Sequence, residues 1–401
     1  MEQLSGWANS AHSYHQNIIK ELNQYAARHR RRLFNPFVHR ESNMKIFNYS
    51  FVAAIAIAAG CLQATTAFAL DLKFSGFFNA IANRHDADEM RYLETVDDTW
   101  GFNNTSYGLN VATKISDKLS VAAQLFGGGH EGDSVGLDWA FATYDFNDES
   151  HIKFGKIKYP GNLYSETVDV GFVYPWIRPP ESIYSENAKL FFEAYKGAAY
   201  KYMAGDDIEF GVEIYYGSTP EEEHEDELES HNDMMGLTVS AANDMGRLLF
   251  SYNDSVLSAT DTSVSIPVAG EDGQHYSILA VGAEVEFDKL QIIAEIAQSQ
   301  LEDASDEDAV GWYVTAAYSM GEWKPHFTIQ KYAVDDASVE QSSMTLGVIK
   351  KVGSGALLKL EVQRIDDIKG NGFFEDHLFD TTNLPDGSSV NMFNIALSTV
   401  F

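Results

Sequence analysis

The sequence has a single cysteine and few basic residues, and it lacks long apolar runs. Its only cysteine is Cys61, so a mature chain that begins beyond it contains no thiol and no disulfide. No stretch of about 18 apolar residues occurs, which excludes membrane-spanning helices. The 28 Lys and Arg residues are outnumbered by 59 Asp and Glu residues, and the net charge of −31 argues against nucleic acid as a partner.

The N-terminal region has the pattern of an export signal. Lys45 precedes a short apolar run over residues 53–62, and an Ala-Phe-Ala sequence at 67–69 provides a cleavage site of small residues. The apolar run is too short for a transmembrane helix. We therefore expect a signal peptide at residues 44–69, beginning with Met44 and removed after Ala69.

The chain upstream of this signal, residues 1–43, is polar and rich in histidine and arginine. A start codon assigned too early is the simplest interpretation; a long n-region or a basic helix that binds another molecule are the alternatives. Cys61 could also be a lipoprotein site, although Ala58 stands where the usual leucine would be. The first 69 residues carry 7 of the basic and 3 of the acidic residues, so residues 70–401 have a net charge of about −35.

Sixteen segments of residues 70–401 alternate between apolar and polar side chains, and this period places successive side chains on opposite faces of a sheet. The predicted strands are Leu70–Asn83, Thr105–Ile115, Leu119–Gly127, Val135–Phe146, His151–Lys156, Gly197–Ala204, Ile208–Gly217, Met234–Asn243, Arg247–Asp254, His275–Phe287, Leu290–Gln300, Val310–Ser319, Trp323–Val334, Ser342–Lys351, Ala356–Asp366 and Asn391–Phe401.

The connections between these strands alternate in length. Seven are short and mostly built of Asp, Asn, Gly and Ser, as tight hairpins require: 116–118, 147–150, 205–207, 244–246, 288–289, 320–322 and 352–355. Eight are long: 84–104, 128–134, 157–196, 218–233, 255–274, 301–309, 335–341 and 367–390. A soluble sandwich has no reason to sort its loops in this way. The pattern predicts an all-β fold, a transmembrane antiparallel up-and-down barrel of sixteen strands with short periplasmic turns and long external loops.

Four strands predict which side chains face lipid and which face a wet interior. The predicted outward sets are Leu137, Trp139, Phe141; Phe210, Val212, Ile214; Phe327, Ile329; and Leu358, Leu360, Val362. The predicted inward sets are Asp138, Ala140, Tyr144; Glu209, Gly211, Glu213; Lys324, His326, Gln330; and Lys359, Glu361, Gln363. Aromatic residues near strand ends suit interfacial girdles, although strands are aromatic-rich in any case: Tyr107, Tyr216, Tyr252, Phe287, Trp312, Tyr318 and Trp323.

The last strand ends on an aromatic residue. Phe393, Ile395, Leu397 and Phe401 share one face and run to the end of the sequence, whereas most soluble domains end in a frayed polar tail. This ending resembles the assembly signal of bacterial outer-membrane β-barrels. The resemblance implies an outer-membrane location in a Gram-negative bacterium, with outer-membrane lipid, lipopolysaccharide and the barrel-assembly machinery as partners.

The third long loop, 157–196, is longer than the other connections, and its middle, 169–184, contains aromatic rings and three prolines, which favour packed backbone over disorder. Here the chain resembles the general porins of Gram-negative bacteria. The resemblance implies a homotrimer of sixteen-stranded barrels in which the third loop folds inward and narrows the pore.

A pore constriction needs charge held in a narrow aqueous gap. The loop candidates are Lys158, Glu166, Asp169, Arg178, Glu181 and Glu186. The wall candidates are Lys114, Lys153, Lys201, Glu209, Glu213, Arg247, Lys324 and Lys359, with Glu284, Glu286 and Glu295 as further acidic groups. We expect Arg178 and Glu181, beside two prolines, to lie near the narrowest point, and the net charge predicts a mild preference for cations.

These patterns predict a passive diffusion channel for small hydrophilic solutes and ions, with no enzymatic activity, cofactor or metal. The alternatives are a substrate-specific channel for sugars or small organic solutes, a non-conducting structural barrel and a barrel hydrolase. A specific channel could use the loop rings Tyr159, Tyr164, Tyr174, Trp176 and Tyr184, although packing of the loop is the favoured role. The acidic runs 221–227 and 303–308 could bind divalent cations, but solvated loop tips are the simpler interpretation.

Overall fold

The computed structural model describes residues 71–401, except 89, 94, 129–133, 225–226, 262–265, 268–271, 303–307, 336–338 and 377–383. The predictions on the start at Met44, the signal peptide and Cys61 lie outside the described residues. Among the helices that are described, none is long and apolar enough to cross a membrane.

Sixteen antiparallel strands form a closed ring, which confirms the predicted fold. They are β1 Lys73–His85, β2 Ser106–Lys114, β3 Leu119–Gly128, β4 Val135–Asp145, β5 Ser150–Lys158, β6 Ala194–Ala204, β7 Glu209–Ser218, β8 Glu227–Asn243, β9 Gly246–Asp261, β10 His275–Phe287, β11 Leu290–Leu301, β12 Ala309–Tyr318, β13 Trp323–Val334, β14 Glu340–Gly353, β15 Ala356–Lys369 and β16 Ser388–Val400. Each strand pairs with its neighbours in the chain, and β1 pairs with β16 from Phe77↔Val400 to His85↔Met392, so no edge is left open.

The predicted strand ends differ from the observed ends mainly in β8 and β9. These two strands pair as far as Glu227↔Asp261, well beyond the predicted start at Met234 and the predicted end at Asp254. The extension is polar, and its strand pairing therefore continues beyond the point at which the period-two apolar pattern, used for the prediction, stops. Two short strands, Glu222–His224 and Ile266–Pro267, add to its edges.

The barrel has its apolar side chains outside and its polar side chains inside. On β7, Phe210, Val212 and Ile214 are 56%, 40% and 53% exposed, whereas the inward Glu213 is 3% exposed. The predicted faces of β13 and β15 are likewise confirmed by their register and burial. A wet or filled interior and an apolar exterior suit a barrel surrounded by lipid.

The predicted facing of β4 is wrong beyond Asp138, because Trp139 and Phe141 face inward, and Ala140 and Tyr144 face outward. Gln124 of β3 pairs with Trp139, but the next residue, Leu125, pairs with Leu137, so Asp138 is an extra residue in a β-bulge. The bulge shifts the period by one residue. Leu137 therefore faces outward, while Trp139 and Phe141 turn into the barrel.

The C-terminal residue completes the closure of the barrel. The backbone N–H of Phe401 donates to the carbonyl oxygen of Gly76 at 3.0 Å, and the N–H of Gly76 donates back to Phe401 at 3.0 Å. The ring of Phe401 lies on the outer face over Gly76, where a Cβ atom would come within 2.7 Å of the ring carbon Cζ. Phe393, Ile395 and Leu397 also face outward as expected, and their role as an assembly signal stays a prediction.

Two long loops pack on each other over the rim of the barrel. Met90–Tyr92 pairs with Phe374–Asp376 in a small separate sheet, and Tyr92 is completely buried against the ring of Phe374. Gln341 of β14 donates to the Tyr92 hydroxyl at 2.8 Å. These contacts cover one side of the barrel mouth.

Candidate functional site: the loop inside the barrel

The loop between β5 and β6 crosses the interior of the barrel. Near its start, the carbonyl oxygen of Gly161 accepts a hydrogen bond from Ser251 of β9 at 2.5 Å. Further along, the carbonyl oxygen of Asp169 accepts one from Asn79 of β1 at 2.9 Å. Since β1 and β9 lie opposite each other in a ring of sixteen strands, the loop spans the full width of the lumen.

Lys359 of β15 fixes the middle of the loop. Its ammonium group donates to the carbonyl oxygens of Gly171 at 2.5 Å, Tyr174 at 2.8 Å and Trp176. It also lies 4.9 Å from the centre of the Tyr174 ring, and its side chain is completely buried. Lys359 comes three positions after Ala356, the first residue of β15, so the loop reaches to within roughly 10 Å of the short-turn rim.

Glu295 of β11 fixes both arms of the loop. It accepts hydrogen bonds from the backbone N–H of Leu163 at 2.9 Å and from the hydroxyl of Tyr184 at 2.6 Å. Tyr313 of β12 donates a third at 3.0 Å. A buried carboxylate needs such donors, because unpaired burial of its charge is costly.

A second carboxylate, Glu284 of β10, holds the first arm. It accepts hydrogen bonds from the Tyr164 hydroxyl and from Arg247 of β9, both at 3.0 Å, and the Arg247 guanidinium lies 4.7 Å from the centre of the Tyr164 ring. Arg247, Glu284, Glu295 and Lys359 thus bind the loop.

The turn over Trp176–Tyr184 is held by strands β12, β13 and β15. The indole N–H of Trp176 donates to the hydroxyls of Thr315 and Thr328 at 3.0 and 2.9 Å. Gln330 accepts from the backbone N–H of Ser182 at 2.9 Å. Gly311 of β12 faces Ser182 so closely that a Cβ atom there would collide with its carbonyl oxygen.

These contacts fill one half of the barrel and leave the other half open. Inward side chains of β11 to β15 are almost completely buried: Ile293, Glu295, Tyr313, Thr315, His326, Thr328, Gln330, Thr345, Lys359 and Glu361 are 0–7% exposed. In the half of β2 to β5 nearer the short turns, the inward side chains keep contact with solvent, whereas Ser106, Gln124 and Ile157 nearer the long loops are buried. The half-buried or exposed set is Asn110, Ala112, Lys114, Ser120, Ala122, Trp139, Phe141, Thr143, His151 and Lys153. The open space is therefore eccentric and runs along β2 to β6.

Charges of both signs line this open half. Lys153 of β5 faces Glu166 of the loop at 3.6 Å, and the Glu166 side chain is 46% exposed. Lys201 of β6 pairs with Glu213 of β7 at 3.1 Å. Lys114 is exposed near the short-turn rim. Opposite charges held across a gap between loop and wall create a local electric field in that gap.

The base of the loop is held by an ion-pair cluster. Lys158 lies 2.9 Å from Asp138, the bulge residue of β4, and 2.8 Å from Asp169 of the loop. Gln124 donates to Asp138 at 2.5 Å. All four groups are largely buried. The cluster therefore positions the loop, and its Lys158 and Gln124 bind the side chain of the bulge residue Asp138.

The structure places Arg178 and Glu181 in the filled half. They pair with each other at 3.3 Å, the Arg178 guanidinium lies 5.7 Å from the centre of the Tyr92 ring, and Gln330 donates to Glu181 at 2.6 Å. Their effect on ion selectivity stays a prediction.

The other predicted site residues fall into three groups. Lys324 is buried on β13 with Glu286 nearby, and Glu209 is half-buried on β7. Glu186 lies in the 3₁₀ turn Glu186–Ala188, but its side chain is outside the description, as are most of the acidic runs 221–227 and 303–308. The rings of the loop are 0–8% exposed and pack the loop: Tyr159, Tyr164, Tyr174, Trp176 and Tyr184.

Comparison with solved structures finds the same fold at low sequence identity. An anion-selective porin from Comamonas acidovorans is 12% identical with a TM-score of 0.55, over 83% of this chain and all of the other. A trimer form of OmpT, an outer membrane protein of Vibrio cholerae, is 14% identical with a TM-score of 0.53, again over 83% and 100%. OmpF of Salmonella typhi in complex with daunomycin is 12% identical with a TM-score of 0.54, over 82% and 97%. No family model and no curated protein sequence matches the chain. At these identities the likeness concerns the fold: the described residues form a closed sixteen-stranded barrel similar to that of porins.

Proposed function

We propose that the protein is a passive diffusion channel for small hydrophilic solutes and ions in the outer membrane of a Gram-negative bacterium. The observation that carries this function is the division of the lumen. The loop closes the half along β11 to β15, whereas inward side chains of β2 to β5 remain in contact with solvent in the half of these strands nearer the short turns. A solute would pass between the loop and this wall.

The charges along the proposed path are balanced rather than strongly negative. Lys114, Lys153 and Lys201 face Glu166, Glu209 and Glu213, so the local field is much weaker than the charge of the whole chain would indicate. Charges on distant loops are screened over about 10 Å at 0.1 M salt. The preference for cations should therefore be mild and should depend on the pair Lys153 and Glu166.

Cysteine modification tests this path directly, since residues 70–401 contain no cysteine. We would compare Thr143→Cys on the open wall with Thr345→Cys, a matched change on the filled side where the side chain is 6% exposed. A water-soluble cationic thiosulfonate should react with the first variant in planar bilayers and reduce its KCl conductance. The second variant should not react and should conduct like the parent.

Equal reaction of both variants would show that the loop does not fill one half. No KCl conductance from the refolded parent would contradict channel function and favour a non-conducting barrel. The buried loop rings give no support to a solute path along the loop, and the proposed function assigns a catalytic role to no residue.

We further propose a homotrimer that contacts lipopolysaccharide and is inserted by the barrel-assembly machinery. The outer face of β2 to β5 has a shallow apolar hollow of about 460 Å³, floored by Ala123, Ala140 and Ala142 and bordered by Val121 and Phe154. Many of the other outward side chains are large, among them Phe210, Ile214 and Leu346, so this hollow suits a second copy of the chain. Ala142→Arg should convert trimers to monomers in native mass measurements; unchanged trimers would assign the hollow to lipid chains.

A further inference from the structure

The bulge at Asp138 creates an aromatic surface inside the open half of the barrel. The rings of Trp139 and Phe141 stack with centroids 5.2 Å apart and an interplanar angle of 27°. Both side chains are half-buried, and their cross-strand partners on β3 are Gln124 and Ala122. We call Trp139 and Phe141 the aromatic ledge.

Trp139 is not among the side chains that pack against the buried core of the inward loop, whereas Phe141 also packs against that core. The loop rings contact one another and the opposite wall, and the ring contact of Trp139 is with Phe141. A large aromatic side chain that faces water beside a small Ala122 loses apolar burial. Two such rings in one aqueous path offer a flat apolar face on which a planar solute can stack.

Positive charge lies directly below the ledge, toward the short-turn rim. The Lys153 ammonium is 5.3 Å from the centre of the Phe141 ring. Lys153 pairs across strands with Thr143, Thr143 with Ser120, and Ser120 with Lys114, so both lysines belong to one level of the wall.

Acidic groups near this level are few or already paired. Asp138 is bound by Lys158, and Asp145 lies one level lower, opposite His151. Glu166 is the acidic group closest to Lys153, but the two are 3.6 Å apart and Glu166 is 46% exposed, so a second carboxylate can compete for the ammonium. Rings and lysines in this order match a ligand with a planar apolar body and one negative end.

We propose that the aromatic ledge binds aromatic carboxylate anions as they pass through the channel. The ring of the anion stacks on Trp139 and Phe141, and its carboxylate reaches Lys153 or Lys114. This inference rests on the proposed channel function and adds a solute class to it.

Single-channel recording with benzoate as the probe tests this binding. Benzoate should reduce the KCl current in a concentration-dependent manner, and cyclohexanecarboxylate, which has a similar size and the same charge but no flat ring, should act more weakly. Trp139→Leu should weaken the benzoate block about 2- to 12-fold, the range that corresponds to the loss of one aromatic pair. Trp139→Phe should restore it.

Three controls separate the ledge from general effects. Tyr144→Leu removes an aromatic ring from the outer face of the same strand and should leave the block unchanged. Phe141→Leu should act like Trp139→Leu, which guards against a local change in the bulge. Glu166→Gln should strengthen the benzoate block, because the competing carboxylate is removed.

The outcomes distinguish the ledge from the channel itself. If the protein conducts KCl but benzoate and cyclohexanecarboxylate block the current equally, the ledge does not bind aromatic anions. The same conclusion follows if benzoate blocks the Trp139→Leu variant as strongly as it blocks the parent. If benzamidine, an aromatic cation, blocks as well as benzoate, the lysines do not select charge. If the protein shows no KCl conductance at all, the proposed channel function is wrong and the ledge has no role in permeation.

Discussion

Lys359→Met tests whether one buried ammonium group keeps the loop across the barrel. Methionine keeps most of the length of the lysine side chain but removes its charge and all its donors. The carbonyl oxygens of Gly171, Tyr174 and Trp176 would lose a shared partner. The rest of the barrel does not depend on these bonds, because its strands pair with each other around the ring.

The substitution should reduce the free energy that keeps the loop docked by about 3 kcal/mol. Hydrogen bonds to a charged group contribute about 1.5–3 kcal/mol each, and desolvation of the buried ammonium offsets part of the sum of three. A change of about 3 kcal/mol shifts the ratio of docked to released loop by about 150-fold. Trp176 and Glu295 still bind their partners, so release should be partial and reversible.

Single-channel recording in planar bilayers would detect this change. The variant should show larger open-channel noise and additional substates of higher conductance, while the midpoint of thermal unfolding changes little. Lys350→Met is the matched control, because Lys350 lies on the outer face over the ring of Trp323, at 5.0 Å, away from the loop. Conductance and noise equal to the parent in Lys359→Met would refute the role of Lys359 as the anchor of the loop.

Three further predictions concern selectivity, assembly and processing. Glu166→Gln should lower the cation-to-anion permeability ratio, and Lys153→Met should raise it. Each change should be up to about fivefold, since a charge about 4 Å from an ion in water contributes about 1 kcal/mol. Reversal potentials in a KCl gradient measure the ratio. Deletion of Phe401, or Gly76→Val where the added side chain meets the Phe401 ring, should reduce the yield of heat-modifiable folded barrel, and normal yield for both would remove the closure argument. The intact mass of the protein from outer membranes should correspond to a chain that starts at Leu70; a lipidated Cys61 would contradict this.

Arg178→Ala and Glu181→Ala provide a comparison for the selectivity prediction. The sequence predicts a higher cation preference for the first change and a lower one for the second. Because these residues pair in the filled half, we expect smaller shifts in reversal potential than for Lys153 and Glu166. Larger shifts would place the permeation path on the side of β13 to β15.

The sequence by itself predicted the number of strands, their order and the sorting of loops. These features depend on local patterns: side chains alternate with period two along each strand, and turn residues mark the short connections. The ends of β10 and β13 agree with the prediction to the residue. Facing was also readable wherever the alternation was unbroken, as on β7 and β15.

Tertiary structure alone decided the facing of β4 from Trp139 to the short turn. A bulge adds one residue, and nothing in the period of the sequence marks where that residue is inserted. Asp138 occupies the bulge, where Lys158 and Gln124 bind it. The consequence, two aromatic rings in the lumen, could not be read from the sequence.

The path of the loop was also decided only by tertiary structure. Its length and aromatic content indicated a packed element, but its anchors are distant in sequence: Trp176 binds Thr328, 152 residues away, and Ile177 binds Glu361, 184 residues away. Inward charges on different strands look alike in the sequence. Whether one faces the open half of the lumen, like Lys153, or holds a loop, like Lys359, depends on which backbone groups reach it after the ring has closed.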